Sequence, residues 1–595
     1  MRACFGLALV LLAFPQLSAA REAPEQLLPA GTQVYFRWDG IEAHRSAYAQ
    51  TALGKMLAGD TGRFLASALN QIQDLAATGL TGQQLLQGIP PEQLQQIQKA
   101  VADAPKFLAL LGRRGLIVGV EVRGLQPPAA QLTLIVPEAG DEASSFFGNL
   151  RLAANLLKLN VEELAITGRS VSHIAAGPVH VSWWIEGGHA LLVVGTDDPQ
   201  STVKHLQTSG PRLVDSPLFK RVQGFKRFET GARAFADLAA LVHVAEGRGD
   251  HARKFIKGLG LDGLKTWTFQ SGFDGDAERT LYELEAPGPR TGLLRMLQSD
   301  RFKLTDVPPL PTDAVSWSVT NFDATVFYDA VLQAAESVIA IVAPDSLPAI
   351  RGFVEQIDLV LGISLRNDLL GSLGNRFALY NSPGEGIFTL GQTYLFRVRD
   401  AKKLQASLEQ AIKAAAKVVN LDASIRKVTY HGVVLNEVHV RQQGFFFVPT
   451  FAIDNGWLAV SYYPQAIQGF VLRSQGKLPV WKPEGQIEKA LAQLPQEFIS
   501  ISVTDPRATV RQFLTLAPLI AGGIKSAAPD ATFEVGAIPN AHEATQHLFP
   551  NVSVVSDDGT VLRSETRASL ALPIDLSGLD AYALFFAFGF AVRLF

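Results

Sequence analysis

Two pairs of histidines come nearest, by residue type and spacing, to a chemical site. His173 and His180 form the first pair, and His431 and His439 form the second; the later histidine of each pair is flanked by two valines. Neutral imidazoles on adjoining strands can share a metal ion, so these four residues are candidate metal ligands. A stable site usually needs three or four ligands, and neither motif contains a third. An outward strand position in duplicated hairpins is therefore the alternative.

Other patterns resemble chemical sites but fail on order or spacing. The glycines of residues 258–263 fit a dinucleotide-binding pattern, yet a helical stretch precedes them and a strand follows, so we expect them to close a helix. His542 and His547 are five residues apart, whereas a zinc-protease helix needs four. The acids of residues 274–285 resemble a calcium loop, but Arg279 stands where such a loop needs glycine, which favours a hairpin turn.

Motifs for the commoner enzyme mechanisms are also absent from the sequence. There is no Gly-x-Ser-x-Gly elbow, no phosphate-binding Gly-Lys-Ser/Thr loop and no reactive cysteine in the mature chain. We therefore assign no catalytic or cofactor-binding residue and expect no cofactor. The formal net charge is only -3, which makes nucleic acid a poor candidate partner.

The amino terminus has the pattern of a secretory signal peptide. Arg2 precedes an apolar run from Phe5 to Phe14, and small residues 18–20 supply a cleavage site, so residues 1–20 are the predicted signal. The only cysteine, Cys4, lies within it. We expect an exported protein, periplasmic or extracellular and associated with the envelope, that is stabilised by its core without disulfides.

Internal similarity is the strongest indication of the architecture. The segment that begins Leu28-Pro29 resembles the one that begins Leu310-Pro311, about 280 residues later, and further matches follow in the same order. Prolines concentrate between the two series. We therefore predict a first repeat half at 21–289, a proline-containing linker at 290–309 and a second half at 310–595. The predicted fold is α+β, with two homologous halves in tandem, each a mainly antiparallel sheet with packed helices.

Some elements are specified in more detail. Residues 401–419 have the apolar spacing of a surface helix that faces the core. Residues 179–186 alternate as in a half-buried strand, with the odd-numbered side chains on the buried face; Trp184 on the other, polar face indicates partial cover there. Four polar residues that end apolar strands are expected to cap the helices that follow: Asp39, Asp237, Asn321 and Asp505.

The carboxyl-terminal segment, residues 581–595, is apolar and contains five phenylalanines. A buried closing strand of the second half is one interpretation. Contact with a membrane or docking of a partner are the others, although the segment is short for a transmembrane helix and Arg593 interrupts its end.

The leucine–proline openings, the polar strand ends, the duplication and the apolar tail together resemble a known group of proteins. These are the large exported proteins of planctomycete-type bacteria that are classified only as a domain of unknown function. The resemblance covers about Leu28 to Pro573 and implies export. No site residue is established for that group, so none can be transferred.

Three hypotheses for function remain. The first is a non-enzymatic binding or scaffolding protein of the cell envelope, with an envelope protein as its partner. The second is a carrier of lipid or another apolar small molecule, and the third is a hydrolase with an unrecognised site. An exposed apolar patch favours the first, an enclosed apolar cavity the second, and histidines or carboxylates that converge in a cleft the third.

Overall fold

The computed structural model describes residues 23–67, 106, 108–125, 128–156, 159–207, 210–386, 390–418, 420–440, 447–527 and 538–570. The predicted signal peptide, residues 1–20, and the apolar segment 581–595 lie outside these residues. The chain divides into two compact units. Unit 1 comprises Met1–His44, Leu80–Phe225 and Gly231–Ala236, and unit 2 comprises Arg45–Gly79, Lys226–Thr230 and Asp237–Phe595.

Antiparallel strands and α-helices make up both units, so the predicted α+β class is confirmed. The strands are β1 Val34–Trp38, β2 Leu116–Leu125, β3 Pro128–Val136, β4 Glu162–Ile166, β5 Arg169–Ala176, β6 Val179–Glu186, β7 His189–Gly195, β8 Glu229–Asp237, β9 Thr266–Asp274, β10 Ala277–Glu285, β11 Ser316–Asn321, β12 Leu373–Asn381, β13 Gln392–Val398, β14 Ala423–Tyr430, β15 Val433–Val440, β16 Thr450–Asp454, β17 Trp457–Ser461, β18 Ser500–Thr504, β19 Asn551–Asp557 and β20 Val561–Ala568.

The α-helices of the described residues alternate with groups of these strands. They are α1 Arg45–Gln50, α2 Ala52–Ala58, α3 Ser144–Leu156, α4 Pro199–Gln207, α5 Pro217–Gln223, α6 Leu238–Glu246, α7 Asp250–Leu259, α8 Ala324–Val342, α9 Leu347–Leu361, α10 Ala401–Val418, α11 Pro464–Ser474, α12 Gln486–Gln493, α13 Pro506–Ala527 and α14 Ala541–Thr545.

The order of strand pairing is similar in the two units. In unit 1 the order is β8-β1-β2-β3-β7-β6-β5-β4. In unit 2 the strands β18-β11-β12-β13-β17-β16-β15-β14 pair in the corresponding order, each numbered ten higher. The unit 2 series continues from β18 through β19, β20 and β10 to β9. The division into tandem halves itself stays a prediction.

Each unit has its own hydrophobic core. In unit 1, Tyr35 of β1 packs with Ile117, Ile135 and Phe235 from the neighbouring strands. In unit 2, the larger core surrounds Trp317 of β11. Residues 290–309, the predicted linker, contain two short 3-10 helices, Gly292–Leu297 and Leu304–Asp306.

One helix and one strand were predicted in detail from the sequence. The helix predicted at 401–419 is α10, with Leu404 fully buried. The strand predicted at 179–186 is β6, in which Trp183 and Trp184 are both buried, whereas Val179 and Ile185 are exposed, contrary to expectation. The two tryptophans belong to different apolar clusters, so the centre of β6 is covered on both faces.

Two of the four predicted helix caps are present. The Asp237 carboxylate accepts from the Ala240 amide at the start of α6, and Asp505 accepts from the Arg507 amide at the start of α13. Asp39 instead pairs with arginine side chains, among them Arg233.

The Asn321 prediction is wrong because the helix begins two residues later than expected. Asp323 caps α8, and the Asn321 amide instead binds the carbonyl of Asp300 and the guanidinium of Arg376.

Candidate functional site

The structure brings His173 and His180 together. They lie on the neighbouring strands β5 and β6, with Nε2 of His173 at 3.3 Å from Nδ1 of His180. The rings stack at 17° with centroids 5.2 Å apart. On its other side, Nδ1 of His173 lies 3.3 Å from the Ser182 hydroxyl. A hydroxyl and two imidazoles therefore form one hydrogen-bonded row.

Burial limits what this row can do. His173 is 4% exposed and Ser182 is 2% exposed, so a substrate has no direct access to either group. Burial and the nearby charge of His180 lower the pKa of His173 from its usual value, which favours the neutral ring. Among the described residues no group of three or more His, Cys, Asp or Glu side chains is placed to hold a metal ion. The two histidines alone offer two ligand nitrogens, fewer than the three or four that a stable site usually needs.

His431 and His439 do not come together. His431 lies in the turn between β14 and β15, where its Nδ1 is 3.0 Å from Nζ of Lys477. His439 lies near the far end of β15, with Nε2 at 3.1 Å from Glu437. His439 is six positions further along the strand than Val433, the first strand residue after the turn, which corresponds to about 20 Å of extended chain. The second pair thus occupies opposite ends of one hairpin.

The other patterns singled out in the sequence have structural roles. Helix α7 ends at Gly260, which adopts a left-handed conformation with φ of 76°. Gly275 forms the turn of the β9–β10 hairpin, and Arg279 on β10 binds the Asp274 carboxylate. His542 lies on the short helix α14, whereas His547 lies beyond its end. The expected helix closure and hairpin turn are both present.

One small cavity in unit 1 is lined by polar groups that are paired with one another. Its volume is about 390 Å³, and Arg169, Trp184 and Glu186 lie in its wall. The Glu186 carboxylate accepts from Nη2 of Arg169 at 2.6 Å and from the Trp184 indole at 3.0 Å. Although burial acts to raise it, these bonds hold the pKa of Glu186 below its usual range. The carboxylate and guanidinium neutralise each other.

A second small cavity lies in unit 2 and is lined by two arginines. Its volume is about 340 Å³, and its wall contains residues 305–309, Arg376 of β12, Arg397 of β13, and Asn455 and Trp457 at the β16–β17 turn. The strand pairing places the two arginines near each other, which sequence spacing does not reveal.

A set of exposed apolar side chains lies on helices α8 and α9. These helices follow one another in the chain and contact each other. Large apolar side chains are exposed along both, with Phe353 at 62% and Leu359 at 81%. We call this set the α8–α9 surface: Phe327, Val331, Val342, Phe353, Leu359 and Val360.

Helix α8 is unusual in its composition as well as its exposure. It is 19 residues long, and the mean hydropathy of its most apolar 18 residues is 1.5. Only 11% of that 18-residue stretch is buried. By length and composition it could cross a membrane, a test that core helices and signal sequences also pass. Ala334 of α8 packs against Phe255 and Leu259 of α7, so part of the helix is held by the unit. The sequence analysis did not single out this surface; the high hydropathy of residues 324–342 is the signal that could have revealed it.

Comparisons with known proteins add little. No family model matches the sequence, and no curated protein shows significant similarity. Three solved structures of TP0453, in crystal forms III, I and IV, are similar to this chain. Their sequence identities are 9%, 10% and 10%, and their TM-scores are 0.23, 0.22 and 0.20. They cover 47%, 48% and 44% of this chain and 88%, 89% and 80% of their own. At these TM-scores the likeness does not define a fold.

Proposed function

We propose that this chain is an exported, non-enzymatic binding or scaffolding protein of the cell envelope, and that it docks another protein on the α8–α9 surface. The exposure of Phe327 on α8 and of Phe353 and Leu359 on the next helix, α9, carries the proposal. Single exposed apolar residues are ordinary on protein surfaces, whereas a concentration of them with aromatic members is typical of interaction sites.

The charge around this surface favours a protein over a membrane as the occupant. Residues 324–361 contain five acidic residues and one basic residue, a formal charge of −4. Helices that lie on membranes are usually rich in lysine and arginine, because the surface of the bilayer is anionic. Two helices with exposed apolar side chains and a negative net charge fit a partner whose own apolar patch has a basic rim.

The carrier hypothesis has less support. An apolar ligand needs a cavity lined mainly by hydrophobic side chains. The two cavities of about 390 and 340 Å³ both have arginines in their walls. They are also at the small end of the range for drug-sized ligands, roughly 300–1,000 Å³.

The hydrolase hypothesis also has less support. The Ser182–His173–His180 row has the residue types of a nucleophile and a base, but hydrolysis needs a nucleophile that a substrate can reach. Ser182 and His173 are buried, and neither lines the two cavities. We therefore assign the row a structural role between β5 and β6.

Duplication and export are part of the same proposal. The corresponding pairing order over eight strands supports two homologous halves at 21–289 and 310–595. The signal-like residues 1–20 support export, as does the resemblance to exported planctomycete-type proteins.

The test uses the full mature chain in the envelope of its own host. A photo-cross-linking amino acid replaces Phe353, and in a control chain it replaces Leu519, a helical residue of α13 that is also exposed. We expect position 353 to yield one dominant cross-linked protein, and the partner's cross-linked peptide to be apolar with flanking lysine or arginine. Position 519 should not yield that product.

The captured protein is then purified and its affinity for the mature chain is measured. Phe353→Gln with Leu359→Gln should weaken binding at least tenfold, because exposed anchors of this kind contribute about 2 kcal/mol or more. Leu519→Gln should change the affinity less than twofold. Raising the salt concentration should weaken the binding of the unaltered chain. Equal cross-linking at both positions, cross-links only to a second copy, or Phe353-dependent flotation with protein-free vesicles would each contradict the proposal.

A further inference from the structure

The 340 Å³ cavity of unit 2 contains two guanidinium groups without a carboxylate partner. Among the described residues, neither Arg376 nor Arg397 has an acidic side chain within ion-pair distance. Asp306 also lies in the cavity wall and affects Arg376 electrostatically without forming an ion pair; its carboxylate accepts from the Lys303 amide. Burial lowers the pKa of Arg376; the charge of Asp306 acts to raise it and the charge of Arg397 acts to lower it, so both charged groups lie close enough to affect Arg376.

Both arginines are held in position by neutral groups. Arg376 donates from Nε to Asn321 at 3.0 Å and from Nη1 to the Asp306 carbonyl at 3.0 Å. Its guanidinium lies 4.6 Å from the centre of the Phe302 ring. Asn321 is itself bonded to the chain at Asp300, so Arg376 is anchored on a rigid frame.

Arg397 is held more loosely and from the other side. Its Nη1 is 3.5 Å from the Asn455 carbonyl, and its guanidinium lies 5.4 Å from the centre of the Trp457 ring. Gly456 leaves room for it, since a methyl group there would lie 3.1 Å from Nη1. The arrangement uses the planar faces for aromatic contact and leaves N–H edges for a ligand.

The free donors define the chemistry of that ligand. Nη2 of Arg376, and Nε and Nη2 of Arg397, have no acceptor among the described residues. Two positive groups with three free donor nitrogens match a tetrahedral dianion better than a single carboxylate. The volume admits a small molecule or a headgroup.

We propose that this cavity is a binding site for a phosphate group, carried by a small phosphomonoester or by a phospholipid headgroup. The site is independent of the α8–α9 surface, so either proposal can fail alone. Arg397 is the specificity-determining residue because it is exposed and makes few bonds of its own. Arg376 orients the other side of the anion.

The experiment is titration calorimetry of the mature chain in phosphate-free buffer. The probes are inorganic phosphate, glycerol 3-phosphate and, as a monovalent control, acetate. Arg397→Gln should weaken phosphate binding about tenfold or more, the size expected for loss of a charged hydrogen bond. Arg397→Lys keeps the charge but lacks the two-pronged guanidinium, so its affinity for phosphate should lie between those of the unaltered chain and Arg397→Gln. Arg399→Gln is the matched control, since Arg399 is exposed and does not line the cavity; it should change affinity less than twofold.

A second arm identifies the source of the phosphate. Vesicles of phosphatidylcholine with phosphatidic acid are compared with phosphatidylcholine alone by co-sedimentation. Binding of glycerol 3-phosphate in solution assigns a soluble ligand, and Arg397-dependent binding to phosphatidic acid vesicles alone assigns a headgroup. The proposal is overturned if no probe binds at millimolar concentration, if acetate binds as well as phosphate, or if Arg397→Gln binds like the unaltered chain while its thermal unfolding is unchanged.

Discussion

Arg290 and Asp557 form a buried bidentate ion pair across 267 residues of sequence. Nη1 lies 2.5 Å from one carboxylate oxygen and Nη2 lies 3.0 Å from the other, and the side chains are 2% and 9% exposed. The Arg290 guanidinium also donates to the carbonyls of Ala286 and Leu297. The pair therefore ties the start of the proline-containing segment to the end of β19.

Removing one partner should be costly, because the other charge is then left buried and uncompensated. We predict that Asp557→Ala lowers the free energy of unfolding by about 3–5 kcal/mol. Asp250→Ala is the control, since its ion pair with Arg253 is exposed and should contribute less than about 1 kcal/mol. Chemical denaturation measures both, and similar losses in the two variants would show that the buried Arg290 pair contributes no more than an exposed one.

Helix α8 depends on the cap that the sequence placed two residues early. The Asp323 carboxylate accepts from the amides of Thr325 and Val326 at 2.9 and 3.1 Å. Asp323→Ala should lower stability by about 1 kcal/mol, the usual cost of losing a cap. Although burial acts to raise it, the hydrogen bonds hold the pKa of Asp323 below its usual range.

The sign of the pH effect follows from that lowered pKa. The folded chain releases the Asp323 proton more readily than the unfolded chain, so the stabilisation is present above the ordinary pKa of 3.8 and is lost as the pH falls below it. The stability difference between the unaltered chain and Asp323→Asn should therefore shrink between pH 5 and pH 3. A difference that stays constant would argue against an ionised cap.

His173 should make stability depend on pH near neutrality. The pKa of His173 is lowered in the folded chain, so the unfolded chain takes up the proton first as the pH falls. The contribution of His173 to the stability of the fold is therefore complete above the ordinary pKa of 6.5 and is lost below it. His173→Gln should reduce the loss of stability between pH 7.5 and pH 5.5. The exposed His542→Gln variant should keep the original dependence, and thermal unfolding at the two pH values distinguishes them.

Gly260 tests the helix-closing role of the glycine run. Its left-handed φ of 76° disfavours other residues, and an added methyl group would lie 2.0 Å from the Thr291 carbonyl oxygen. Gly260→Ala should therefore destabilise the chain by more than about 1–2 kcal/mol. Gly275→Ala has a similar φ but open space around the methyl group, so it should cost less. Equal costs would contradict the close approach at Gly260.

Local patterns predicted local structure well. The apolar spacing of residues 401–419 identified α10, and the glycines after α7 identified its end, since both depend on contacts within a few residues. The caps failed where distant partners compete. Asn321 binds Arg376 of β12, and Asp39 binds Arg233 of β8, and neither partner is near in sequence.

The candidate sites were less predictable for the same reason. Arg376 and Arg397 become neighbours only when β12 pairs with β13. On β6 the buried Trp184 confirms the expected cover of the polar face, whereas the exposure of Val179 and Ile185 was missed, because alternation indicates which side chains share a face but not how far along the strand that face is covered. Of the candidate histidines, only the His173 and His180 pair meets in space, since its strands adjoin.

The most direct test of the proposed docking function is carbene footprinting of the mature chain, purified and in its native envelope. Phe353, Leu359 and Val360 should be labelled strongly in the purified chain and protected in the envelope, while exposed Leu519 on α13 should be labelled equally in both. Equal labelling of the α8–α9 surface in the two samples would contradict the claim that a partner covers it.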